Sequence, residues 1–160
     1  MSIFRWPVDG GPQQYPITRG SDAHIADGRG VAVDIAMPVG TPLYPALPLG
    51  GVTAKVISSG PAGECGYHVE YEFYWEGQQY RDRYCHLLSW YPHPKATLHP
   101  ETALGLSGGQ PGHPGAGRST GPHLHWLREV DGVRIRTEDY NWEEELMLLQ
   151  PIPVSLDKIW

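Results

Sequence analysis

Apolar and polar residues alternate with period two along much of this chain, and that period puts successive side chains on opposite faces of a strand. Gly66 to Tyr74 alternates in this way, and so does Tyr80 to Leu87. Trp75-Glu76-Gly77-Gln78 lies between them and reads as a hairpin turn. His123 to Glu129 is a third such run, turned by Asp131-Gly132 towards Val133-Arg134-Ile135. Less regular β-type runs occupy Val31 to Ala36, Gly51 to Ile57 and Leu104 to Ser107, with a short strand near 15–18. The prolines around Leu43-Tyr44-Pro45-Ala46 make it a short edge strand. A helix is predicted only over 142–149, where Asn141 can cap it, Glu143 to Glu145 meet the positive end of its dipole and Pro151 stops it. The pattern predicts a mainly β fold: a single antiparallel β-sheet domain with long loops forming a groove and one short C-terminal helix.

The length of 160 residues suits one domain with its own core, and 40% apolar residues with six Trp and nine Tyr exclude a disordered chain. The whole of 1–160 is therefore read as one unit. Its core runs over 15–136, with a leader at 1–14. The tail at 137–160 is expected to pack on the core through Trp142, Leu146, Leu149 and Trp160. A formal net charge of −6 argues against nucleic acid as a partner, because phosphate binding wants a basic surface. No apolar run approaches the roughly 18 residues a membrane span needs, so no membrane insertion is expected. The start of the chain, Met1 to Pro7, lacks a basic stretch followed by an apolar core, so no secretory signal is expected. Cys65 and Cys85 are too few for a disulfide framework; each is read as a buried free thiol, with a bridge between them left open.

Chemistry concentrates in Ser119-Thr120-Gly121-Pro122-His123-Leu124-His125-Trp126. Two histidines two apart on a strand share a face, so one can ligate a metal while the other exchanges a proton beside it. A zinc hydrolase needs three protein ligands with an open position, and further groups to move a proton and stabilise an oxyanion. Of the other histidines, His68 alternates with Tyr67 and Val69 and is read as structural. His93 and His99 sit among prolines and are read as solvated. His113 lies in a glycine-rich loop over 108–119, where it could meet substrate, and the glycines would let backbone approach an extended peptide closely. Tyr84 is placed on the same face as His86, in core packing. Gly117, His123-x-His125 and Glu129 also come near the first metal motif of a cupin, but no histidine follows His125 to supply the second.

Four segments then occur in a fixed order, each with its own relation to a strand. They are Val33-Asp34-Ile35-Ala36-Met37-Pro38-Val39-Gly40-Thr41-Pro42; Gly51-Val52 followed by Gly66-Tyr67-His68-Val69; Tyr84-Cys85-His86-Leu87; and Gly117-Arg118-Ser119-Thr120-Gly121-Pro122-His123-Leu124-His125-Trp126. Together, over about Tyr15 to Trp126, they resemble the lysostaphin-type zinc endopeptidases, which cut peptide bonds in bacterial peptidoglycan. The resemblance implies one Zn2+ per chain, with Asp34 and His125 as ligands and His86 and His123 as two catalytic histidines that do not ligate. It implies peptidoglycan peptides as the partner. The alternative within the same resemblance is a non-catalytic relative that binds wall peptides or activates an amidase.

One position departs from the family. Its first histidine usually stands four residues before the aspartate, where this chain has Gly30. The nearest upstream histidine is His24, with nine residues between it and Asp34. His24 is expected as the third ligand, with 25–30 as an insertion that Gly28 and Gly30 make flexible; otherwise Asp22, Asp27 or His113 takes that place, or the site is degenerate. A longer spacing here resembles phage members of the family. The expected location is then the host cytoplasm before lysis, or a virion, with the cell wall as the site of action. A glycine bridge, a D-Ala to diamino-acid crosslink and a stem-peptide bond all remain open as the bond that is cut.

Overall fold

The alternating runs become the strands of one antiparallel sheet in a computed structural model that describes residues 4–139. The expected helix over 142–149 and the contacts of Trp142, Leu146, Leu149 and Trp160 lie outside the described residues. Two short helices come first, α1 (Gly11–Gln14) and α2 (Ser21–Ala26). The strands are β1 (Val33–Ala36), β2 (Pro42–Leu43), β3 (Ala54–Pro61), β4 (Tyr67–Trp75), β5 (Gln78–Trp90), β6 (Thr97–Leu98), β7 (Gly105–Ser107), β8 (His123–Val130) and β9 (Val133–Ile135). Their order is β1-β8-β5-β4-β3-β6, with β9 beside β8 and with β7, carrying β2, beside the far end of β5. Both expected hairpins form. Glu76-Gly77 and Asp131-Gly132 have positive φ at both residues (48° and 77°, 50° and 80°), the twist that suits a two-residue turn. The short helices escaped the sequence pattern because four and six residues are too few to show a helical period.

The longest strand, β5, organises the sheet. Its first half pairs with β8, from Tyr80↔Val130 to Cys85↔His125, and its second half pairs with β7, from Leu87↔Ser107 to Trp90↔Gly105. The change of partner falls on His86, which takes a left-handed backbone with φ 64°. That residue breaks the alternation: Tyr84 and Leu87 are both in the core, whereas His86 turns to the rings of His123 and His125 on the other face. Tyr84 and His86 therefore do not share a face, as strict period two required.

The core lies under one side of the sheet, where Val33, Ile35, Tyr71, Tyr84, Leu124 and Trp126 are fully buried. Residues 4–8 cover it. Phe4, Trp6 and Val8 are at most 2% exposed, and Trp6 meets Trp126 edge-on at 5.7 Å. Backbone bridges Phe4↔Pro48 and Val8↔Leu43 seat this segment, so part of the expected leader belongs to the core itself. A charged pair, Asp82 and Arg128, is buried in the same layer. Their register pairing on β5 and β8 sets them side by side.

The two cysteines are joined: Cys65 and Cys85 form a disulfide, which corrects the reading of two free thiols. The sheet brings Cys85, the neighbour of His86, against the 3-10 turn Gly63–Cys65. The glycine-rich loop closes onto this same turn. A Cβ on Gly115 would stand 2.0 Å from the Leu87 carbonyl oxygen and 2.4 Å from the Tyr67 ring, and one on Gly117 would stand 2.3 Å from the Glu64 carbonyl oxygen. These glycines let the loop approach the chain's own backbone rather than that of a ligand.

Candidate metal centre

Three separate elements bring their polar side chains to one point. The β1–β8 pairing sets Asp34 opposite His125, and α2 delivers His24 from the side. Asp34 Oδ1 lies 2.9 Å from His125 Nδ1, 3.2 Å from His24 Nε2 and 3.5 Å from His123 Nε2. One ligand atom from each of His24, Asp34 and His125 can be chosen so that all lie within 4.8 Å of one another. The strand holding Asp34 is pinned on its outer edge, where Thr18 N and Arg19 N donate to its carbonyl and Asp34 N donates to Arg19 O. This bridge replaces the strand expected near 15–18.

His24 is 1% exposed and stands within α2, not on a flexible excursion. After it the chain leaves the helix and turns back through Gly28 and Gly30, both with positive φ. The other carboxylates considered for the third position are engaged elsewhere: Asp22 pairs with Arg136 at 2.8 Å and Asp27 pairs with Arg19. His113 is exposed on the outer loop.

The chemistry of the centre fits a cation. His24 Nδ1 donates to the Gly20 carbonyl at 2.9 Å, which leaves Nε2 of a neutral imidazole as a lone pair facing the Asp34 carboxylate. His123 repeats the arrangement, with Nδ1 2.7 Å from the Gly121 carbonyl and Nε2 towards Asp34. Lone pairs facing a carboxylate repel unless a positive charge sits among them. Burial opposes ionisation of Asp34, but the hydrogen bond from His125, and the attraction its carboxylate gains whenever His123, His125 or His24 takes up a proton, outweigh it and hold its carboxyl below the ordinary range. Two imidazoles and one carboxylate, with the side towards the groove open, are the donor set of a hydrolytic zinc site. The Nδ1–H anchor of His24 is the kind of outer hydrogen bond that orients a ligand imidazole.

His86 and His123 stand at the rim of this cluster, their rings 4.9 Å apart. Burial, reinforced by His123 and His125, pushes the His86 imidazole down to about 4, so it is neutral at neutral pH and able to exchange a proton. A cavity of about 580 Å³ opens over Asp34, His86, His123 and His125, with the segment Arg118 to Pro122 as one wall. The remaining histidines stay apart from it. His68 is held by Ser58 Oγ at 2.8 Å and by the Gly60 carbonyl at 2.6 Å, and His93 and His99 are exposed.

Sequence reasoning did not find Glu138. Its carboxylate accepts from Ser21 N at 2.7 Å and from Ser21 Oγ at 2.9 Å, so it fastens the first turn of the helix that carries His24. The two residues are 117 apart along the chain, and no local pattern joins them. Glu138→Ala is expected to weaken metal affinity about tenfold by loosening His24 without removing a ligand. Competition with a chromogenic chelator measures this, and an unchanged affinity would remove the positioning role.

No protein-family model matches the chain. Among solved structures, a zinc-containing peptidase from Vibrio cholerae is 27% identical with a TM-score of 0.66, over 88% of this chain and 40% of that one. A putative M23 peptidase from Pseudomonas aeruginosa is 24% identical with a TM-score of 0.61, over 84% of this chain and 48% of that one. This chain thus spans less than half of either relative. The catalytic domain of the antimicrobial peptidase lysostaphin from Staphylococcus simulans is 22% identical with a TM-score of 0.52, over 84% of this chain and 88% of that domain. The chain shares its fold with these three peptidases, one of them a zinc-containing enzyme.

Proposed function

We propose that the chain is a zinc-dependent endopeptidase that hydrolyses peptide bonds in bacterial peptidoglycan, as a bacteriolytic enzyme of phage type. The observation that carries this reading is the convergence of three histidine nitrogens on one oxygen of Asp34, at the floor of an open groove. His24, Asp34 and His125 would hold one Zn2+. When bound, zinc supplies a Lewis acid that polarises a carbonyl or a water molecule. The chain's own groups do the rest. His123, fixed through Nδ1 on the Gly121 carbonyl, presents Nε2 to take a proton from the attacking water. His86 lies across from it, neutral and screened from solvent, placed to hydrogen-bond the oxyanion, while the proton taken up by His123 goes on to the leaving amine. The groove accepts an extended peptide between the glycine-rich loop and the α2–β1 segment. The Cys65–Cys85 bridge supports action outside the reducing cytoplasm, where disulfides persist.

The decisive test pairs zinc content with hydrolysis of purified peptidoglycan. Chelation should abolish the activity and zinc should restore it. His86→Ala and His123→Ala should each retain zinc while turnover falls about a hundredfold or more. A chain that binds no zinc and releases no peptidoglycan fragments would end the proposal, and zinc loss from either variant would reverse the ligand assignment.

A further inference from the structure

Five of the chain's twelve Lys and Arg residues line two cavities that meet at His86 and His125, although the chain as a whole carries a formal net charge of −6. Three of the five are matched by carboxylates: Arg19 by Asp27, Arg83 by Glu70 at 2.6 Å and Arg118 by Glu64 at 2.8 Å. Arg29 and Arg134 have no carboxylate partner among the described residues. Arg134 Nη1 instead donates to the Arg29 carbonyl at 3.1 Å, which ties its guanidinium to the loop carrying Arg29. Both side chains line the second cavity, about 280 Å³, which runs from His86 and His125 over the Cys65–Cys85 bridge.

The two arginines share that cavity with Glu64, whose carboxylate is already taken by Arg118 at 2.8 Å, so neither guanidinium has a carboxylate of its own among the described residues. Their position at one end of the groove instead focuses positive potential on whatever binds beside the metal centre. A guanidinium fork matches a carboxylate in shape and charge and gains nothing special from an uncharged glycine segment. We propose that this end of the groove receives a substrate carboxylate on Arg29 and Arg134, so that the peptide cut carries a free carboxyl group near the scissile bond. The substrate class is then an acidic stem peptide or its crosslink, not a neutral glycine bridge. The inference rests on the endopeptidase reading and narrows it.

The test uses the zinc-loaded chain and two synthetic crosslinked stem peptides of one sequence, one with its carboxyl groups free and one amidated. For the unaltered chain the amidated peptide should show a KM about tenfold higher, the usual effect of losing a charge-assisted contact. In Arg29→Gln/Arg134→Gln the KM for the free-acid peptide should rise by a similar factor and the preference between the two peptides should vanish. Equal cutting of both peptides by the unaltered chain, or faster cutting of a glycine-only peptide, overturns the inference alone. A double variant that keeps the preference overturns the assignment to these two arginines. Failure to cut any of the peptides overturns the endopeptidase reading and this inference with it.

Discussion

Asp34→Ala should leave the folded chain without bound zinc and lower hydrolysis by more than about a thousandfold. Asp34 is the acidic member of the centre and its geometric hub, with His125, His24 and His123 nitrogens 2.9, 3.2 and 3.5 Å from the same oxygen. Removing it leaves imidazoles facing one another with no anion to balance a divalent ion, and a three-ligand site cannot lose a third of its donors and keep its affinity. Its backbone bonds to Thr18 and Arg19 do not depend on the side chain, so the strand should stay in place. The check combines metal analysis, peptidoglycan hydrolysis and far-UV circular dichroism on one preparation. A folded variant with a full complement of zinc would show that other groups hold the ion.

The second large effect is on stability and lies away from the groove. Asp82→Ala should cost about 3–5 kcal/mol, because it leaves the Arg128 charge buried without its partner. Both side chains are fully buried. Arg128 donates from Nε and Nη2 to the two Asp82 oxygens at 2.7 and 2.8 Å, and from Nη2 to the Ala46 carbonyl at 2.6 Å. Its guanidinium lies 4.5 Å from the centre of the Phe4 ring, so the pair also locks the N-terminal segment onto the sheet. Tyr71 donates to Asp82 at 2.7 Å; burial, with the nearby carboxylate, pushes that phenol well up and keeps it a donor. For a domain of this size the loss corresponds to a fall in Tm of roughly 10–15 °C. Thermal denaturation of the metal-free protein measures it without interference from ligand binding. A shift of under about 2 °C would mean that the core accommodates the unpaired cation.

Much of the fold was legible because strand formation leaves a local mark. Tyr67 to Phe73 and His123 to Trp126 alternate residue by residue in sequence, and Glu76-Gly77 and Asp131-Gly132 carry the turn chemistry between neighbours. The same alternation could have flagged the buried pair. Tyr80-x-Asp82-x-Tyr84 and Leu124-x-Trp126-x-Arg128 each place one charge in an otherwise apolar row, which is a sign of a partner in the core. Phe4-x-Trp6-x-Val8 likewise has period two, masked by the Pro and Gly around it. Of the centre, Asp34, His86, His123 and His125 stood out because they sit on or beside strands with a familiar local pattern.

What the sequence determined by itself was the alternation that builds one β-sheet and the short strand motifs that put Asp34 and His125 on it. The tertiary structure decided the rest. It set His24 in a helix fastened by Glu138, from 117 residues beyond Ser21. It turned His86 out of the strand pattern, joined Cys65 to Cys85, and left Arg29 and Arg134 together at one end of the groove. The reason is physical. A period is a property of neighbouring residues along the chain, whereas these placements depend on which distant elements are buried together, and no local pattern records that.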